Sequence, residues 1–168
     1  MSGPVRVGGA AQSLGFAGLL PQGAALAGVV WGGPDWVAYA IVVAIAYAAI
    51  ILSFLGGIWW GIAMGRRVGQ TRLAVLAIAP SLWVFATMLG MLAAGKAGVV
   101  VELYYAWGAT ALAAALLATI AVDARLERSG EAPAGWTGFR VRLSVGLALL
   151  TAAAGWAYAA ITRTETWV

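Results

Sequence analysis

The chain of 168 residues is 63% hydrophobic and only 10% charged, with a mean hydropathy of +0.93, where soluble domains are near half apolar and a quarter charged. A soluble fold of this length could not hide so much apolar surface, so composition assigns the chain to a bilayer. Histidine and cysteine are absent, which removes disulfides, thiol nucleophiles, imidazole bases and most metal sites, so no haem ligated through His or Cys, zinc site or iron–sulfur cluster is expected. The six carboxylates are scattered without metal-ligand spacing. The net charge of +4 comes from basic residues flanking apolar runs, a pattern of membrane topology rather than of nucleic-acid binding.

Five apolar segments, approximately 13–31, 36–64, 73–92, 99–122 and 141–161, each approach the ~20 residues that span hydrocarbon. Backbone groups must be satisfied internally in lipid, so all five are predicted helices. The fold class is thus an all-α integral membrane protein, a single domain with a bundle of five transmembrane helices centred on the second. The first segment reads as a retained helix rather than a cleaved signal peptide, because Arg6 is a weak basic flank and Pro21 interrupts the apolar run. Pro21 is expected to kink that helix, with Gln22 satisfying freed carbonyls or bonding across helices. Gly32-Gly33-Pro34-Asp35 then forms a turn, with Pro34 opening the next helix.

The second segment carries ILSFLGGIWWG at Ile51–Gly61. Ser53, Gly57, Gly61 and Gly65 recur every four residues, a stripe of small side chains that lets another backbone approach closely. Packing within the protomer is the expected use; a homo-oligomer seam or a ligand groove are the alternatives. At ~100° per residue Trp59 lies almost opposite the stripe and is expected to anchor at the interface. Trp60 flanks the stripe with Gly56 and is the ligand-facing candidate.

In the third segment Pro80 should kink the helix beside Ser81. Trp83 lies about 16 Å along the axis from Arg72, deep for an interface anchor. Trp60, Trp83 and Trp107, with Gly56, are therefore the candidate lining of an aromatic ligand cavity. In the fourth segment Glu102 reaches the outer headgroup region or pairs with Lys96. Asp123 lies where that helix leaves the membrane, and Arg66, Arg67, Arg140 and Arg142 are its candidate ion-pair partners. Arg125 and Arg128 suit the dipole at that helix end. The following GEAPAGWTG is the one flexible-looking loop, with Trp136 turned back to the interface.

Eight of the ten basic residues (Arg6, Arg66, Arg67, Arg72, Arg125, Arg128, Arg140, Arg142) fall on one side, against Lys96 and Arg163 on the other. The N-terminus is accordingly predicted cytoplasmic and the C-terminus outside, with Trp31, Trp36 and Trp167 near the outer interface. No internal repeat suggests an inverted-repeat transporter.

ILSFLGGIWWG resembles the signature of the membrane proteins grouped as domain of unknown function 3429, which include eukaryotic transmembrane protein 69. LGFAGLLP at Leu14–Pro21, APSL at Ala79–Leu82, VDARL at Val122–Leu126 and FRVRL at Phe139–Leu143 follow in the family's order. Many members carry histidine where this chain has Trp59, so no role that needs an imidazole is implied. The resemblance implies the architecture and no established activity. The tryptophan-rich sensory protein/translocator family, whose members bind tetrapyrroles and sterols, is similar in size and tryptophan content, but its proline–tryptophan motifs are missing.

The expected function is that of a non-enzymatic accessory or scaffold protein of a bacterial inner membrane, associating with a larger membrane complex or with its own copies. The alternatives are a binding module for a lipid, quinone or tetrapyrrole, and a small transporter. No nucleophile, base and orienting group can be assembled into a catalytic site. Partners are the bilayer and other membrane subunits, with no nucleic acid; the identity of any cofactor is open.

Overall fold

The structure is a computed structural model that describes residues 6–165; Trp167 lies outside them. Among the described residues, helices joined by turns and short irregular connectors account for the chain, with one isolated parallel bridge between Arg6 and Ala134 and no strand. Five stretches are long and apolar enough to cross a membrane. The first combines α1 (Gly9–Ala17) and α2 (Leu20–Trp31); the others are α3 (Pro34–Met64), α4 (Gln70–Lys96), α5 (Val101–Arg128) and α6 (Trp136–Glu165). The 28 residues of α5 extend for about 42 Å against a hydrocarbon core of ~30 Å. The helices thus overrun the apolar segments and carry their charged ends beyond the hydrocarbon.

Pro21 does not kink a continuous helix. It occupies the first turn of α2, where its missing N–H leaves nothing unpaired, and the break falls upstream at Gly18–Leu19. Tyr47 Oη on α3 donates to the Gly18 carbonyl there (2.5 Å). Gln22 bonds across helices, its Nε2 donating to Thr151 Oγ1 on α6 at 3.1 Å. Pro80, by contrast, lies buried inside α4, which runs through it as one helix.

Helix α3 is the hub and packs against α2, α4, α5 and α6. Its buried positions Ile41, Ala44, Ala48, Leu52, Leu55, Trp59 and Ala63 follow the i+3/i+4 spacing of one helix face. Helices α5 and α6 form the most extensive pair. A Cβ at Gly155 of α6 would come within 2.6 Å of Ala109 Cβ, so only glycine permits that approach. Helix α4 is peripheral, contacting α3 and α5 and burying only Leu73, Ala77 and Pro80.

The second-span motif is turned inside out relative to the expectation. Gly57 and Gly61 are exposed, and a Cβ added at either would meet nothing within 4 Å; Gly65 is exposed at the end of α3, and Ser53 is half-buried. Packing within the protomer instead uses Gly56, where a Cβ would run into the Ala77 carbonyl of α4. Trp59, expected at the interface, is 3% exposed, whereas Trp60 is 46% exposed. Trp59 and the stripe do lie on opposite faces of α3. The stripe faces the surroundings, so the residue opposite it faces the core.

Gly56→Ala is therefore expected to lower stability by about 1–3 kcal/mol, the cost of overpacking. Gly57→Ala and Gly61→Ala should leave the protomer unchanged or raise its stability by up to ~1 kcal/mol through helix propensity. Melting of the three variants in detergent checks the contrast.

Candidate functional site

Asp123 of α5 is 1% exposed, and a carboxylate so deep in the bundle needs compensation from every side. Trp59 Nε1 of α3 donates to Oδ1 at 2.9 Å, and Arg140 Nε of α6 donates to Oδ2 at 2.8 Å. Arg140, itself 6% exposed, also donates from Nη2 to Ser144 Oγ at 3.3 Å. The three partners lie at one depth. Trp59 is five residues from the end of α3, Asp123 five from the end of α5, and Arg140 four from the start of α6. A buried polar layer thus ties together the helices that form the core at the arginine-rich end.

Two cavities flank this layer. A slot of about 370 Å³ between α3, α4 and α5 is lined by Leu52, Trp59, Pro80, Trp83, Ala115 and Ala118, among others. Its alanines give a flat floor, and Trp83 Nε1 fixes one wall by donating to the Ala111 carbonyl at 3.0 Å. A groove of about 280 Å³ between α1, α3 and α6 is lined by Leu14, Phe54, Phe139, Arg140, Leu143 and Leu147, among others. Trp59 faces the slot and Arg140 the groove, and both bond to the same carboxylate.

A family model described as "Protein of unknown function (DUF3429)" matches residues 7–156. The chain belongs to this family. No curated protein and no solved structure matches it.

The candidate ligand residues of this DUF3429 protein do not converge. Trp83 lines the slot, but Trp60 points outward from α3 and Gly56 is spent on the contact with α4. Trp107 is 61% exposed and stacks edge-on against Trp156 at 5.6 Å. Trp59 takes the place in the slot that Trp60 was expected to hold. Its signal was present, since Trp59 shares the helical phase of Leu52, Leu55 and Ala63 and the depth of Asp123.

Of the arginines named for Asp123, only Arg140 reaches it. Arg66 pairs with Glu131, through Nε to Oε2 at 2.5 Å and Nη2 to Oε1 at 2.7 Å; Arg67 and Arg142 are exposed. The connector expected to be flexible is held by one carboxylate from the end of α5 and one of its own. Glu127 accepts from the backbone N–H groups of Gly135 (2.6 Å) and Thr137 (2.7 Å), capping the start of α6. Ser129 Oγ donates to Glu131 Oε1 at 2.6 Å. Trp136 opens α6 and packs on Phe139, with ring centroids 6.2 Å apart.

Asp123→Asn is expected to destabilise the DUF3429 protein in detergent by about 3 kcal/mol or more, because it leaves the buried Arg140 cation uncompensated. An unchanged melting curve would contradict the network. Glu131 is held below the ordinary glutamate range by its hydrogen bonds from Arg66 and then Ser129. A lowered carboxylate pKa stabilises the fold above the unfolded value of about 4.3, and that stabilisation is lost as pH falls through the folded value. Wild type should therefore melt above Glu131→Gln at neutral pH, and the gap should close in acid.

Proposed function

We propose that this DUF3429 protein is a non-enzymatic binding module of the bilayer, taking up an apolar molecule in the slot between α3, α4 and α5. One observation carries the reading, the slot of about 370 Å³ walled by Trp59, Pro80 and Trp83 over the alanine floor of α5. Ligand pockets are concave and mostly apolar, and run from about 300 Å³ upwards. This one lies beside a peripheral helix, so an apolar molecule can enter from the lipid without crossing water. The expected ligand class is a lipid, quinone or flat polycyclic molecule. The arginine asymmetry supports a cytoplasmic N-terminus, and the reading assigns the protein to a bacterial inner membrane.

A second reading, association with another membrane subunit or a second copy, is favoured by the outward face of α3. Gly57 and Gly61 lie open between Phe54 and Trp60, the form of surface on which membrane helices approach one another.

Ala118→Trp fills the slot from its floor. The full chain, extracted from native membranes with a detergent-free polymer, is expected to lose a co-purifying apolar species about tenfold in that variant, a change of ~1.4 kcal/mol in binding. Mass spectrometry of the extracts reads the result. Identical lipid and chromophore profiles in a variant that melts as wild type would overturn the slot.

A further inference from the structure

We propose that the groove between α1, α3 and α6 is a separate binding site, for a lipid acyl chain that presents a neutral carbonyl oxygen to Arg140. A guanidinium has five N–H donors, of which Nε is engaged by Asp123 and Nη2 by Ser144. Among the described residues Nη1 makes no hydrogen bond. Among the described residues the only fully buried side-chain polar atom without a partner is Gln22 Oε1, so Nη1 retains accessible surface, and Arg140 lines the groove.

The occupant's charge follows from Asp123. Its carboxylate lies 2.8 Å from Arg140 Nε and offsets the cation, so the groove offers N–H donors without net positive charge. A free carboxylate or phosphate would bring a second anion next to Asp123 in a low-dielectric site, which is unfavourable. An ester carbonyl accepts the same hydrogen bonds and adds no charge.

Depth and shape define the rest of the molecule. Arg140 is about 6 Å along the axis from the start of α6, near the boundary where hydrocarbon gives way to headgroups. From there the lining is apolar, through Leu14, Ile51, Phe54, Leu143 and Leu147. A volume of about 280 Å³ falls just below the usual range for compact ligands and suits one chain lying along the helices. The wall on the α1 side can yield, because α1 has no buried residue and packs chiefly on α6.

The test uses the full chain in alkyl maltoside, a detergent without carbonyl groups. The probes are methyl stearate carrying a nitroxide near its terminal methyl, the corresponding free acid, and a nitroxide alkane. Electron paramagnetic resonance reads the immobilised fraction. Wild type is expected to hold the ester at least about tenfold more tightly than the alkane, as one hydrogen bond to a charged donor provides, and more tightly than the ionised acid. Arg140→Lys keeps a cation for Asp123 but removes Nη1, and should erase the preference for the ester. Leu143→Trp leaves Arg140 and Asp123 untouched and fills the groove, so it should abolish binding of the ester.

Equal retention of ester and alkane by wild type, or tighter binding of the acid, would overturn the proposal without any variant. Loss of the ester signal in Ala118→Trp but not in Leu143→Trp would also overturn it, placing the probe in the slot and leaving the slot reading intact. Competition identifies the source of the carbonyl. Displacement by phosphatidylcholine or by diacylglycerol each supports the site; displacement by neither overturns it.

Discussion

A carboxylate inside a membrane bundle is costly to bury unless it is paired, and the arrangement of this protein follows from how Asp123 is paired. Desolvating the ion is expensive, and the expense is offset only if both oxygens find donors at one depth. Trp59 and Arg140 supply them from α3 and α6. The register of three helices is thereby linked to a single residue. In a lipid solvent this matters more than in water, because apolar side chains gain little by leaving lipid for one another. Polar pairing and close glycine or alanine contacts take over what hydrophobic burial does in a soluble core.

The division of labour is visible along the bundle. At the arginine-rich end, polar contacts dominate, with the Asp123 layer inside and the Arg66–Glu131 pair and Glu127 cap outside it. Toward the other end the core is alanine-rich, with Ala44, Ala48, Ala106 and Ala109 fully buried and Gly155 admitting α5 against α6. Helix α4 shares in little of either. It is held by the Gly56 contact, the Trp83–Ala111 hydrogen bond and apolar surface, and it is the helix beside which the larger cavity opens.

Much of this was legible in the residues, and the main part of what was not traces to the lipid solvent. Length and apolarity marked all five spans, because a helix must cover a fixed thickness of hydrocarbon. The phase of Ser53, Gly57 and Gly61 against Trp59 was legible too, since it depends only on helix geometry. Which phase faces inward was not, because lipid-facing side chains are as apolar as buried ones: Phe54 is 63% exposed while its neighbour Leu55 is 3% exposed. Hydrophobic periodicity thus loses the contrast it has in water. Asp123 was recognisable as an ion-pair candidate, but choosing Arg140 over Arg66 required the packing of α6 on α5. Pro21 misled for a local reason, since a proline marks a helix start as readily as a kink, and the break lay three residues upstream at Gly18.

Because Asp123 has one oxygen turned to each neighbour, the slot and the groove share a hinge of hydrogen bonds rather than merely a wall. Trp59 belongs to the slot and Arg140 to the groove. Any occupant that changed how firmly one of them holds the carboxylate would change how firmly the other is held. Thermodynamic linkage makes such an influence equal in both directions. The contents of one membrane cavity would then bear on the other.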